Sequence, residues 1–174
     1  MRLTNVEVEQ RLAANDADLL RYLQRRLLDR EDAADAFSEV LLVAWKQRRK
    51  MPVDHEQARM WLFGIARNVL RSTRRAGARR TAATQLLIDA TLTDTTAPDE
   101  ASAVRDAIAS LPEEQAELIR LTYWDGFSSI EAGEMLGISA SAVRSRLVGA
   151  RFAVRALLAG DASTHDAGRG SFTT

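Results

Sequence analysis

Apolar positions recur at helical spacing through most of the chain, and no run alternates with the period of two that marks a half-buried strand. The pattern predicts an all-α fold. Thr4 or Asn5 can cap a short first helix, and Asp16 a second whose stripe is Leu19, Leu20, Leu23 and Leu27. A third helix is expected over about 31–48, with Ala34, Phe37, Leu41, Ala44 and Trp45 on one face. Pro52 marks 49–57 as a loop, and a fourth helix over about 58–75 buries Trp61, Leu62, Ile65 and Val69.

The pattern then lapses. Residues 77–100 mix Gly77, Pro98, many Thr and Ala and scattered Asp, which reads as a flexible acidic linker with at most a turn of helix at QLLIDA. Helical spacing returns over 102–110, and Pro112 followed by Glu113 and Glu114 opens a further helix that stops at Asp125-Gly126. Next comes a stripe of Ile130, Met135 and Leu136, ended by Gly137. Ser139 caps a last helix that turns Val143, Leu147, Ala150 and Val154 inward. Such a pair is a helix-turn-helix. Residues 160–174 read as a disordered tail. The expected organisation is two small helical domains, 1–76 and 101–159, joined by the linker at 77–100.

Formal net charge is zero, but the charges are segregated. Residues 46–80 hold 11 basic and 2 acidic side chains, whereas 81–114 hold 1 and 7. The basic block has apolar positions to pack, so it is no disordered tail, and polyanion binding is its better reading. The last helix carries Arg144, Arg146, Arg151 and Arg155 without an acid, and Ser141, Arg144, Ser145 and Val148 point away from its stripe near the amino end. A DNA major groove accepts such a helix, although helix pairs around a Gly turn also occur as plain core. On 58–75, Gly64, Arg67, Asn68, Arg71, Arg74 and Arg75 share the face opposite the apolar stripe. That surface suits a nucleic-acid backbone, with Gly64 permitting close approach; the alternative is a solvated amphipathic face. In the loop before it, Met51, His55 and Gln57 could hold a base extruded from a duplex, although a plain solvated loop is the more common case for such residues. A third group, Asp35, Ser38, Glu39 and Leu42, forms an acidic strip suited to a partner helix, or simply to solubility.

Other classes fit poorly. The chain has no cysteine and only two histidines, lying far apart, so neither a metal site nor a cofactor is expected. No nucleophile–base pair or phosphate-cradling Gly loop points to an enzyme. No secretory signal is visible, and the longest apolar run, 40–45, is too short to span a bilayer, so a cytoplasmic protein without membrane insertion is expected.

Together these segments resemble the extracytoplasmic-function (ECF) group of sigma-70-type sigma factors. DREDAADAFSEVLLVAW is similar to the region that clamps a coiled coil of the polymerase β′ subunit. ARMWLFGIARNVLRSTRR is similar to the segment that recognises and helps open the minus-10 element, and SLPEEQAELIRLTYWDGFSSIEAGEMLGISASAVRSRLVGAR to the one that reads the minus-35 element and rests on the β flap. The resemblance spans roughly 10–158, and WLFGIARN in tandem with the helix-turn-helix is its specific part. It implies a promoter-specificity subunit of RNA polymerase that binds core enzyme and promoter DNA and is restrained by an anti-sigma factor. Asp35 and Glu39, with Ser38 and Leu42 on their strip, match the docking surface, and Asn68 with the arginines around it the minus-10 surface. Arg144 and Arg146 match the basic pair of the recognition helix, with Ser141, Ser145 and Arg151 beside them. The chain departs from the family at Ser38, Gly64, Ser129, Ala132-Gly133, Val148 and Gly149, the last two where polar or basic residues are common. A 24-residue linker reaches roughly 80 Å when extended, enough for DNA elements about 70 Å apart. The rival reading is a two-domain regulator that senses a ligand with its first half; it gives no reason for the basic face at 64–75.

Overall fold

The computed structural model describes residues 2–85 and 100–167, with side-chain surroundings for 2–78 and 102–160. Every described element is helical, and the chain divides into two compact units, Met1–Leu92 and Thr93–Thr174.

The first unit is built from α1 (Asn5–Gln24), α2 (Arg30–Lys46) and α3 (His55–Gln85), with a short 3-10 turn at Arg48–Lys50. Thr4 and Glu7 form a reciprocal capping box that opens α1. Their hydrogen bonds, the Thr4 backbone N–H at 2.7 Å first among them, hold the Glu7 carboxyl below the usual range. The two helices expected here are one. Asp16 lies inside α1 and opens no new helix, and the polar side chains before it find partners within the unit. Asn15 donates to the Arg11 carbonyl at 2.8 Å, and the buried Arg11 reaches across to the Val53 carbonyl.

Asp29 caps α2, whose buried face is Ala33, Ala36, Val40 and Ala44. The expected stripe is therefore rotated: Ala34 is exposed, and Phe37, Leu41 and Trp45 are half-buried. Small side chains let α2 approach its neighbours closely, and the bulky ones wedge along the edges of the contact. The Asp54 side chain accepts the Gln57 N–H at 2.9 Å, so α3 starts at His55, three residues before the expected 58. Trp61 is only half-buried, and Phe63 belongs to the core in its place. The Tyr22 and Phe63 rings meet edge to face at 5.3 Å among buried Leu19, Leu23 and Leu62. At the far end α3 continues to Gln85, so the first nine residues assigned to the linker are helical. One interior glycine, Gly77, costs a helix only about 1 kcal/mol and does not end it. The QLLIDA turn, apart from Gln85, lies outside the described residues.

The second unit contains α4 (Glu100–Ala109), α5 (Glu113–Ile119), a π turn at Arg120–Trp124, α6 (Ser129–Leu136) and α7 (Ala140–Ala167). Pro112 occupies the N-cap of α5, and Gly126 takes a left-handed φ of 72° where the π turn ends. Ser128 and Glu131 form a second capping box, and Gly137 closes α6 at φ 71°. The stripe foreseen for α6 is wrong in one place. Ile130 is exposed, and the buried positions are Ala132 and Gly133. A Cβ on Gly133 would lie 2.6 Å from the Ile138 carbonyl oxygen, so only glycine lets the turn fold back this closely. From residue 160, where loss of order was expected, α7 continues to Ala167; residues 168–174 lie outside the described residues.

Candidate nucleic-acid interface

The Ser139 hydroxyl accepts the Ala142 N–H at 3.1 Å, and this cap starts α7 at Ala140. Val143, Leu147 and Ala150 are buried in the unit and Val154 partly so, which fixes the rotation of the helix. Ser141, Arg144, Ser145 and Val148 consequently face solvent over its first turns. Ser141 shares a hydrogen bond with Ser139 at 3.0 Å, and no ion pair among the described residues holds Arg144. The other two candidates on this helix are tied down. Arg146, at the edge of the buried stripe, donates to a Glu114 carboxylate oxygen at 3.2 Å, and Arg151 donates to the Tyr123 hydroxyl at 3.3 Å. Further along, Phe152 stands 76% exposed.

Arg151 also lines a feature that the sequence did not announce. An apolar cleft of about 240 Å³ opens between α4, the π turn and α7, walled by Val104, Ile108, Tyr123, Trp124 and Val154. The π turn widens the helix there and turns Tyr123 outward, and no periodicity argument anticipates such a turn.

On α3, Asn68, Arg71 and Arg75 are exposed, whereas Gly64, Arg67 and Arg74 are half-buried. Arg74 donates at 3.0 Å to the Arg26 carbonyl, just past the end of α1. The Arg26 guanidinium itself lies 3.8 Å over the Tyr22 ring, so this arginine pair helps close the unit. Gly64 is not required by packing, since a Cβ there would meet nothing within 4 Å. Its missing side chain instead leaves open a groove of about 520 Å³ between α2 and α3, shared with Trp61, Asn68, Val43, Gln47 and Glu39.

Asp35, Ser38, Glu39 and Leu42 are all exposed along α2, Leu42 at 52%. The Ser38 hydroxyl donates back to the Ala34 carbonyl at 3.0 Å. Glu39 is the member of this strip that reaches the groove, so the acidic strip and the face carrying Asn68 share an edge. The base pocket weighed for the preceding loop against plain solvation lacks its stacking surface. Met51 is turned into the core, 6% exposed, in the loop whose Val53 carbonyl Arg11 holds; His55 and Gln57 sit exposed in the first turn of α3. Sequence reasoning also missed Glu114 and Tyr123, which hold two of the candidate cations. An acid next to a helix-opening proline reads only as a favourable helix end.

Comparison with known proteins matches residues 12–80 to the family model described as Sigma-70 region 2, and residues 101–151 to Sigma-70, region 4. A curated relative, the ECF RNA polymerase sigma factor SigL of Mycobacterium tuberculosis, is 35% identical over 147 residues, covering 81% of each chain. Among solved structures, the sigma factor RpoE in complex with the anti-sigma factor NepR, from Bartonella quintana, aligns with a TM-score of 0.70 and 22% identity. That alignment covers 87% of this chain and 96% of the other. CnrH in complex with the cytosolic domain of CnrY aligns at 0.65 and 24% identity, covering 91% of each chain. These structural likenesses speak to the fold.

Proposed function

Because this chain belongs to the extracytoplasmic-function group of sigma-70-type sigma factors, which direct transcription initiation, we propose a division of promoter recognition between its two units. The amino end of α7 reads the minus-35 element from the major groove. Arg144 contacts a guanine edge there, flanked by Ser141 and Ser145, while Arg146 and Arg151 act on phosphates once released from Glu114 and Tyr123. In the other unit, Gly64, Arg67, Asn68, Arg71 and Arg75 form the minus-10 surface, and Arg74 shapes it from behind. Asn68 has the amide a base edge needs, and the arginines supply charge for the backbone of the opened strand.

The strip of Asp35, Ser38, Glu39 and Leu42 docks on the β′ coiled coil of core polymerase, and the cleft between α4 and α7 receives the β flap. RNA synthesis itself is the work of the polymerase, so this subunit needs no cofactor and acts with that enzyme in the cytoplasm. A solved relative is held by the anti-sigma factor NepR, and restraint of this chain by an anti-sigma factor is part of the same reading. One observation carries the proposal: the capped, all-cationic amino half of α7 presents Arg144 to solvent with no ion-paired acid among the described residues.

Run-off transcription with core polymerase on a genomic promoter library tests it directly. The full chain should select a discrete promoter set. Reversing Asp35 and Glu39 to Lys at unchanged helicity should cost at least tenfold in core binding, about 1.4 kcal/mol or more, through like-charge contacts. Unchanged retention of that double variant on core polymerase would remove the strip from the interface.

A further inference from the structure

α7 carries an aliphatic side chain in the middle of its outward row: Val148 is 59% exposed, on the side away from Val143, Leu147 and Ala150. Nothing in the packing of the unit needs it there. Resting on the reading that this helix lies in the minus-35 major groove, we infer that Val148 is a specificity-determining residue that reads the methyl group of one thymine.

The geometry limits which residues reach a base. At about 100° and 1.5 Å per residue, Val148 projects within roughly 20° of Ser141 and about 10 Å further along the helix. Both therefore fit within a groove about 12 Å wide. Phe152 is about 6 Å beyond and falls outside that span. Valine is short, and a short side chain touches a base edge only if its neighbours allow the helix to sink. On its amino-terminal side Ser141 and Ser145 are no longer than it, and beside it Gly149 adds no side chain, while the longer Arg144, Arg151 and Phe152 are flexible or lie towards the carboxyl end; at Gly149 a Cβ would meet nothing within 4 Å, so packing does not demand the glycine.

The chemistry then chooses the base. A valine neither donates nor accepts a hydrogen bond, so against guanine, adenine or cytosine it covers a polar edge without replacing the lost water. Thymine alone offers a methyl group in the major groove, and there the contact removes apolar surface on both partners. With Arg144 one turn earlier aimed at a guanine, α7 would read a guanine and a nearby thymine by two different forces.

The test is a methyl-deletion cycle on the holoenzyme, full chain with core polymerase. A minus-35 element is first selected from randomised duplexes, and each thymine in it is then replaced singly by deoxyuridine. One replacement should weaken wild-type binding about fourfold, the scale of one buried methyl, and the same replacement should be silent in Val148→Ala. Val148→Ala should keep the thermal stability of the parent. A selected element without thymine under α7, or deoxyuridine effects identical in the two proteins, would overturn the inference. Arg144→Ala on the same duplexes keeps the two readings apart. If it relaxes one position while Val148→Ala changes nothing, only the valine assignment fails. If neither variant alters any preference, the placement of α7 fails with it.

Discussion

The two units present a basic helix by different means. α3 lies against both α1 and α2, over large buried side chains such as Tyr22, Phe63 and Leu62, and some of its cations serve the unit itself. α7 packs on α4, α5 and α6, with Ala132 and Gly133 of α6 buried beside it, and its amino half leaves Arg144 without an ion pair among the described residues. Both units bury large side chains, Phe127, Leu118 and Leu121 among them in the second, but the tightest approach under α7 is made by backbone, at Gly133. A count of arginines along a helix therefore overstates an interface, since Arg74 and Arg146 already have partners within the fold.

Stability variants should separate the two modes most strongly. Phe63→Ala removes a ring from the Tyr22 contact and should cost the first unit about 3–5 kcal/mol. Gly133→Ala adds a single carbon, yet that carbon meets a carbonyl oxygen that cannot swing away, so the second unit should lose roughly 1–3 kcal/mol. Unfolding of full-length variants that keep one of the three tryptophans, Trp61 in one unit or Trp124 in the other, resolves which unit has been weakened. Equal effects of either change on both probes would mean the units do not rely on separate cores.

Much of this was legible in the sequence, and the failures share a cause. Helical periodicity, the Ser139 cap and the Gly137 stop located α7 and its outward face, because each signal is local. α1 was divided at Asp16 because the partner that makes its polar stretch tolerable, the Val53 carbonyl, lies 42 residues away from Arg11. The faces of α2 and α6 were set by large apolar residues, when alanines and a glycine made the close contacts. Which arginines were spoken for was invisible for the same reason: Glu114 is 32 residues before Arg146, and Arg26 is 48 before Arg74.

A smaller effect distinguishes neighbouring cations on α3. Arg74→Ala should lower stability of the first unit by roughly 1–2 kcal/mol, since the Arg26 carbonyl loses a charged donor. Arg71→Ala should leave stability unchanged and flatten the salt dependence of promoter binding by about 0.7 in the log–log slope, the signature of one lost phosphate contact on a single strand. Asn68→Ala should do neither, but shift base preference in the opened strand, which permanganate footprints on promoter variants report. If Arg71 and Arg74 exchange these phenotypes, the exposed face of α3 is not the DNA-bearing one.

The least perturbing change bears on the other helix. Glu114 is 83% exposed and Arg146 46%, so their pair contributes at most about 1 kcal/mol to the fold, and Glu114→Gln should melt with the parent. Its consequence should appear only with DNA. While the carboxylate is present, Arg146 divides its time between Glu114 and a phosphate, and DNA must displace an acid to engage it. Neutralising that acid removes the competitor and one negative charge near the duplex. Affinity for minus-35 DNA should rise by a few-fold at low salt, and the log–log slope should steepen by up to about 0.9. Salt titrations of the full chain with core polymerase on a minus-35 duplex measure both. A fall in affinity would reverse the role, making Glu114 the residue that aims Arg146 at DNA instead of the one that withholds it.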